Sequence, residues 1–268
     1  MTSSARDALP AGADGPSPVV SGYRARPRVG APPDPPVGPL GPLATDLAAA
    51  CLALARRFAA GATLWCWSPP WPHHAQHVAV EFVHPVIVGK RALPSEAMDD
   101  ADPVGALRAV MAAGDVLLAI SRADDSAVVS AMARAPAWGV ETLWIGLGER
   151  PPSGAADHVL WLEGRDDSAP HTGELVVMYH LLWELTHVCF EHPGLLTDQR
   201  GACDEEVCIT CSDEGRLGEV IATSAPDLAT VRSATGHEEV DTTLVGPVRA
   251  GDLVLIHAGT AIELVSEP

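Results

Sequence analysis

Residues 201–214 read GACDEEVCITCSDE, which sets three cysteines, Cys203, Cys208 and Cys211, among five carboxylates. Thiolate is a soft ligand, suited to zinc or to soft iron centres. Asp204, Glu205, Glu206, Asp213 and Glu214 raise the pKa of a free thiol, yet they attract a cation that then displaces its proton. Three chemistries are open: a disulfide, a zinc site, and a thiolate that carries a metal fragment for a time. A structural zinc takes four ligands, so His237 or His257 would have to join the three sulfurs. Cys208 and Cys211 also have the spacing of a redox pair, without the βαβ setting such pairs occupy.

A second cluster lies in HHAQHVAVEFV, residues 73–83. His77 and Glu81 are four residues apart, so they share one face of a helix. His73 and His74 add imidazoles, and His180 in VVMYHLLWEL supplies another from a later helix. Imidazole and carboxylate suit zinc, nickel or iron. Histidines that only hydrogen-bond would use the same residues.

The elements that must position these groups follow from periodicity. Residues 1–42 are rich in Pro, Gly, Ala and Ser and read as a disordered tail. From residue 43, ATDLAAACLALARRFAAG has helical spacing with Gly61 as its stop. TLWCW, PVIVG, DVLLAIS, ETLWIGLG and DHVLWLE read as strands. HHAQHVAVEFV, DPVGALRAVMAAG, DSAVVSAMARAPAWG and TGELVVMYHLLWELTHVCFEH read as helices, the last apolar on most faces and so expected to be buried. Strands alternating with helices predict a parallel sheet with helices on both faces over residues 43–193. A linker spans 194–207. From 208 to 268 the runs RLGEVIATS, LATVRSA, HEEVDTTLVG, DLVLIHAG and TAIELV, parted by turn signals, predict a small all-β, OB-like barrel. Cys51, Cys66 and Cys189 sit in apolar surroundings and read as core residues.

Composition narrows the function. A net charge of −18 over 268 residues argues against nucleic acid and against an anionic membrane surface. There is no apolar leader at the N-terminus and no run of ~18 apolar residues, so a cytoplasmic protein is expected. In a reducing compartment clustered cysteines more often bind metal than bridge.

Two resemblances add to this. TTLVGPVRAGDLVLIHAGTAIELVSE resembles the end of the HypC/HupF family of [NiFe]-hydrogenase assembly chaperones. Leu244, Val245, Gly246, Val248, Gly251, Asp252, Val254, Leu255, His257, Gly259, Ala261 and Ile262 carry it. Cys208 stands at the family's distance before the first strand, but it is internal, and Thr210 to Gly215 replace the usual Ile-Pro-Gly. The resemblance implies a chaperone rather than an enzyme. It would carry an Fe(CN)2CO fragment from a HypD-like scaffold to the hydrogenase large-subunit precursor. By position, Cys208 and His257 become the working residues, with Cys203 and Cys211 as further candidate ligands for iron or zinc.

Residues 43–193 resemble the sugar isomerase (SIS) fold, a three-layer α/β domain, and within it phosphoheptose isomerase. Ala75, Gln76, His77, Glu81 and Phe82 match its first catalytic helix, and residues 114–121 match the strand before its second phosphate loop. The resemblance implies a divalent site at His77, Glu81 and His180, with Thr172 where a Gln is expected. It also implies dimerisation through helices. The phosphate loops are altered: Trp67 to Pro72 replace one, and Ser121 to Ser126 the other. Ser121, Arg122 and Ser126 remain as candidate ligand contacts. The alternative function is therefore a metal-dependent sugar-phosphate isomerase, of the sedoheptulose 7-phosphate type, with an accessory barrel.

Overall fold

The computed structural model describes residues 40–100, 102–164, 172–196 and 215–266. The first helix, α1 (Ala44–Ala59), buries Leu47, Ala50, Cys51, Leu54, Ala55 and Phe58, the i, i+3, i+4 stripe that its periodicity requires. Strand β1 (Leu64–Trp67) follows, then helix α2 (Pro72–Val83), whose first residue is a proline with φ already helical. Next come β2 (Ser95–Met98), α3 (Pro103–Val110), β3 (Val116–Ile120) and α4 (Ser126–Arg134). A 3-10 turn, Ala135–Trp138, leads to β4 (Glu141–Gly148), β5 (His158–Glu163) and the long α5 (Thr172–Glu191).

The five strands form one parallel sheet in the order β2-β1-β3-β4-β5. Helices α1, α2 and α5 close one face around Phe58, Phe82, Leu118, Ile145, Tyr179 and Leu182. Helices α3 and α4 close the other around Leu107, Val128, Trp138, Trp144 and Trp161. The expected layer order is thus present, and Cys51, Cys66 and Cys189 are buried free thiols. Among the described residues no helix is long and apolar enough to cross a membrane.

Two expectations for the α/β part need correction. PVIVG, residues 85–89, is no strand; Val86 and Val88 are exposed, and the segment turns back on itself. The edge position belongs to β2, which pairs with β1 from Leu64↔Ser95 to Trp67↔Met98. Helix α5 is not buried all round either, since Val177 and Leu181 face outward.

The C-terminal part is a closed barrel of β6 (Arg216–Ala225), β7 (Leu228–Ser233), β8 (Gly236–Asp241), β9 (Leu253–His257) and β10 (Thr260–Val265). Its order is β10-β8-β7-β6-β9. All pairs are antiparallel except β8 with β10, which meet only at Asp241 and Thr260. Strand β8 ends at Asp241, so the TTLVG expected to continue it forms a turn instead. Val220, Val231, Val240, Val254, Ile256 and Ala261 fill the interior.

The barrel sits on the α3–α4 side, and all described residues belong to one compact unit, 36–268. Leu253 joins the core of that face, with Leu217 and Val265 packed beside it. At the centre of the junction is Glu219 of β6, only 2% exposed. Its Oε1 accepts from Arg108 Nη2 and Arg134 Nη1, each at 2.6 Å. Its Oε2 accepts from Arg108 Nε at 2.9 Å and Trp138 Nε1 at 2.8 Å. Arg232 of β7 donates back to the carbonyls of Arg108 and Met111, at 2.7 and 2.8 Å. The guanidinium of Arg232 also stands 5.7 Å from the centre of the Trp138 ring. A carboxylate buried this deeply needs such partners.

Candidate functional site

Helix α2 buries His74, Ala75, Val78, Ala79 and Phe82, which leaves His77 and Glu81 on its shoulder, facing α5. His77 Nε2 lies 3.3 Å from Glu81 Oε1. His180 of α5 brings its Nε2 to 3.3 Å from His77 Nε2 and 3.7 Å from Glu81 Oε1. Among the described residues this is the one group whose ligand atoms all fall within 4.8 Å of each other. Four ligands about 2.0–2.1 Å from a zinc ion are about 3.4 Å apart at tetrahedral angles. The three atoms therefore have the spacing of three ligands around a divalent cation, which they could hold between them. The side chains of His180 and His77 are 47% and 39% exposed, so the group is reachable from solvent. Zinc held there would act as a Lewis acid on a bound oxygen. At a distance suited to hydrogen bonds as well, the same three groups form a stable cluster without an ion.

Behind the cluster stands Tyr179. Its Oη is 2.9 Å from His77 Nδ1 and 3.3 Å from His74 Nδ1. Burial, with the nearby Glu81 charge, pushes the phenol up to about 12. Burial, then the charges of His73 and His77, lowers His74 to about 4. His74 is 1% exposed, and its Nε2 is buried with no hydrogen-bond partner among the described residues. Tyr179 was not singled out from the sequence, where it looks like one more apolar residue of α5. Its only signal is its place directly before His180.

The other candidates are placed as follows. Ser121 is fully buried; its hydroxyl donates to the Arg122 carbonyl and accepts from Trp144 Nε1. Arg122 makes a two-pronged ion pair with Asp124. Ser126 is exposed at the start of α4, where Asp125 caps the helix by accepting from Val128 N. That carboxylate occupies the end of the helix dipole at which an anion would bind. Cys203, Cys208 and Cys211 lie outside the described residues, as does the Thr172 side chain.

His257 ends β9 and pairs across the closing hairpin with Thr260. The two turn residues have positive φ, 49° at Ala258 and 81° at Gly259. Two such residues make the primed turn that matches strand twist, a conformation that costs an alanine energy and a glycine little. Asp241 N donates to the Gly259 carbonyl at 3.0 Å, which ties this turn to β8. Strand β6 runs antiparallel to β9 with Arg216 opposite Ile256. Continuing that register sets Gly215 opposite His257. The chain thus enters the barrel at the end that carries the histidine.

Residues 215–268 match the HupF/HypC family model. The HupF/HypC match covers the whole barrel and includes His257 and its turn. No curated protein matches the sequence. Among solved structures, the chain is similar to a phosphoheptose isomerase from Francisella tularensis, at 16% identity and a TM-score of 0.46. That alignment covers 54% of this chain and 86% of the other. It is also similar to phosphoheptose isomerase GmhA from Neisseria gonorrhoeae, at 19% identity and a TM-score of 0.42, over 56% and 86%. For the sugar isomerase domain of an RpiR transcription factor from Sphaerobacter thermophilus the values are 19% and 0.39, over 55% and 81%.

Proposed function

We propose that the chain is a hydrogenase maturation factor of the cytoplasm. In this reading it takes up an Fe(CN)2CO fragment from a HypD-like scaffold and delivers it to the precursor of a [NiFe]-hydrogenase large subunit. The HupF/HypC match over the barrel carries this reading. The Cys208 thiolate holds the iron, since soft low-spin iron suits sulfur. His257 donates a hydrogen bond to a cyanide nitrogen or serves as second ligand. The entry of the chain opposite His257 supports this pairing. Cys208 lies seven residues before Gly215, a span of at most about 25 Å when extended. A single thiolate releases its cargo more readily than a closed four-ligand site does.

The α/β part serves as an assembly module. Val80, Val86, Ile87, Val88, Val177 and Leu181 are exposed on α2, the loop after it and α5. An apolar face of that kind suits a second copy of the chain.

The test is infrared spectroscopy of protein purified with the scaffold from hydrogenase-expressing cells. Wild type should show CO and CN bands, and Cys208→Ala should lose them. Bands that persist in the variant would remove Cys208 from the mechanism.

A second reading, a metal-dependent sugar-phosphate isomerase, is favoured by the triangle of His77, Glu81 and His180. The Asp125 cap and the Arg122–Asp124 pair oppose it, because both hinder a phosphate. Turnover of sedoheptulose 7-phosphate by the zinc-loaded protein would establish it.

A further inference from the structure

A cation at His77 needs the Nε2 lone pair bare and directed outward, so the ring hydrogen must sit on Nδ1. Metal-bound histidines are held in that state by an acceptor at the other nitrogen. Here the acceptor is Tyr179 Oη, 2.9 Å from Nδ1. A phenol that accepts from His77 has its own hydrogen to place, and His74 Nδ1 is 3.3 Å away. His74 then carries its hydrogen on Nε2, the buried atom with no partner among the described residues. Burial keeps this imidazole neutral, so it can accept from the phenol. The chain of three groups runs from an exposed ring to a fully buried one, through two helices. This tyrosine and histidine are polar groups buried among apolar neighbours in the chain, Ala75, Val78, Met178 and Leu182.

We propose that Tyr179 and His74 are positioning residues. Through the sequence His77 Nδ1–H to Tyr179 Oη, then Tyr179 O–H to His74 Nδ1, they hold His77 with its Nε2 bare toward a cation shared with Glu81 and His180. The unmet His74 N–H is the cost of that orientation. This rests on the divalent site and not on the iron-carrier reading, which is read out separately by infrared bands.

The experiment uses the full chain carrying C203S, C208S and C211S, so that the thiols take no metal. Zinc binding is measured by competition with a chromophoric chelator, and histidine tautomers by long-range proton–nitrogen NMR. Tyr179→Phe and His74→Leu should each weaken zinc by about 10- to 100-fold. His74→Asn, whose Oδ1 can still accept from the phenol, should stay within about 3-fold of wild type, the mark of a lost acceptor rather than lost packing. In the zinc-loaded parent His77 should carry its hydrogen on Nδ1, bonded to Tyr179 Oη, whereas without zinc its Nε2–H can donate to Glu81 Oε1, 3.3 Å away. The proposal is overturned if His77 of the zinc-loaded parent carries its hydrogen on Nε2, if the parent chain takes up no zinc, or if Tyr179→Phe binds zinc as tightly as the parent. The NMR outcome decides even if a variant fails to fold.

Discussion

Glu219→Gln tests whether the barrel and the α/β part are held as one body. The carboxylate accepts four hydrogen bonds from Arg108, Arg134 and Trp138, three of them from guanidinium groups. Glutamine keeps one acceptor oxygen and turns an N–H₂ group toward the cations. At least two charge-assisted bonds are lost, each worth about 1.5–3 kcal/mol. Arg108 is 40% exposed and can recover water, so the loss should fall near the low end, about 3 kcal/mol. At about 2–4 °C per kcal/mol the melting midpoint should drop by about 6–12 °C. Burial acts to raise the Glu219 pKa, but the bonds from Arg108 and Trp138, then the Arg108 charge and the Arg134 bond, hold it below the usual carboxylate range. Its folded pKa is depressed, so its contribution is present above the unfolded value of about 4.3 and is lost as pH falls through the lowered one. Denaturant titrations of both proteins from pH 7 down to pH 3 should therefore show a gap that closes on acidification. A gap under about 1 kcal/mol at pH 7, or one that stays constant with pH, would refute this account of the junction.

Three further outcomes are expected. Ala258→Gly should raise stability by about 0.5–1 kcal/mol in guanidinium unfolding, because it relieves a left-handed φ; no gain would mean the turn is not strained. His74 is held near 4, so the unfolded chain binds the extra proton between that value and about 6.5; stability should fall there by up to about 1.4 kcal/mol per pH unit as pH decreases, and His74→Asn should flatten that slope. Burial pushes the Cys51 and Cys66 thiols up to about 12, so both should resist a disulfide reagent in the native state and react once unfolded, as mass spectrometry of labelled peptides will show.

The sheet, its two helical layers and the barrel were legible because their signals are repeated over many residues. DVLLAIS and ETLWIGLG are apolar because both faces of a parallel strand are covered. His77, Glu81 and His180 were legible as a set, since helix spacing brings two of them to one shoulder and a resemblance points to the third. PVIVG misled because strand propensity is local, whereas the edge position is decided by what pairs with β1. The polar SEAM fits there because an edge strand needs burial on little of its surface. Glu219 was illegible for the opposite reason: a lone glutamate in RLGEVIATS looks like an outward residue of a two-faced strand. Only the docking of α3 and α4 turns that outward face into an interior. Tyr179 stayed hidden in an apolar helix, because its hydrogen bonds join it to α2, about a hundred residues earlier.

The Glu219 clamp also decides which side of the barrel stays open. Held by its flank, the barrel has one side covered by α3, α4 and the turn after them, with Leu217, Leu253 and Val265 sealed into that contact. Its open surface is the part turned away from those helices, and the end of the barrel that carries His257 is fixed in direction relative to the parallel sheet.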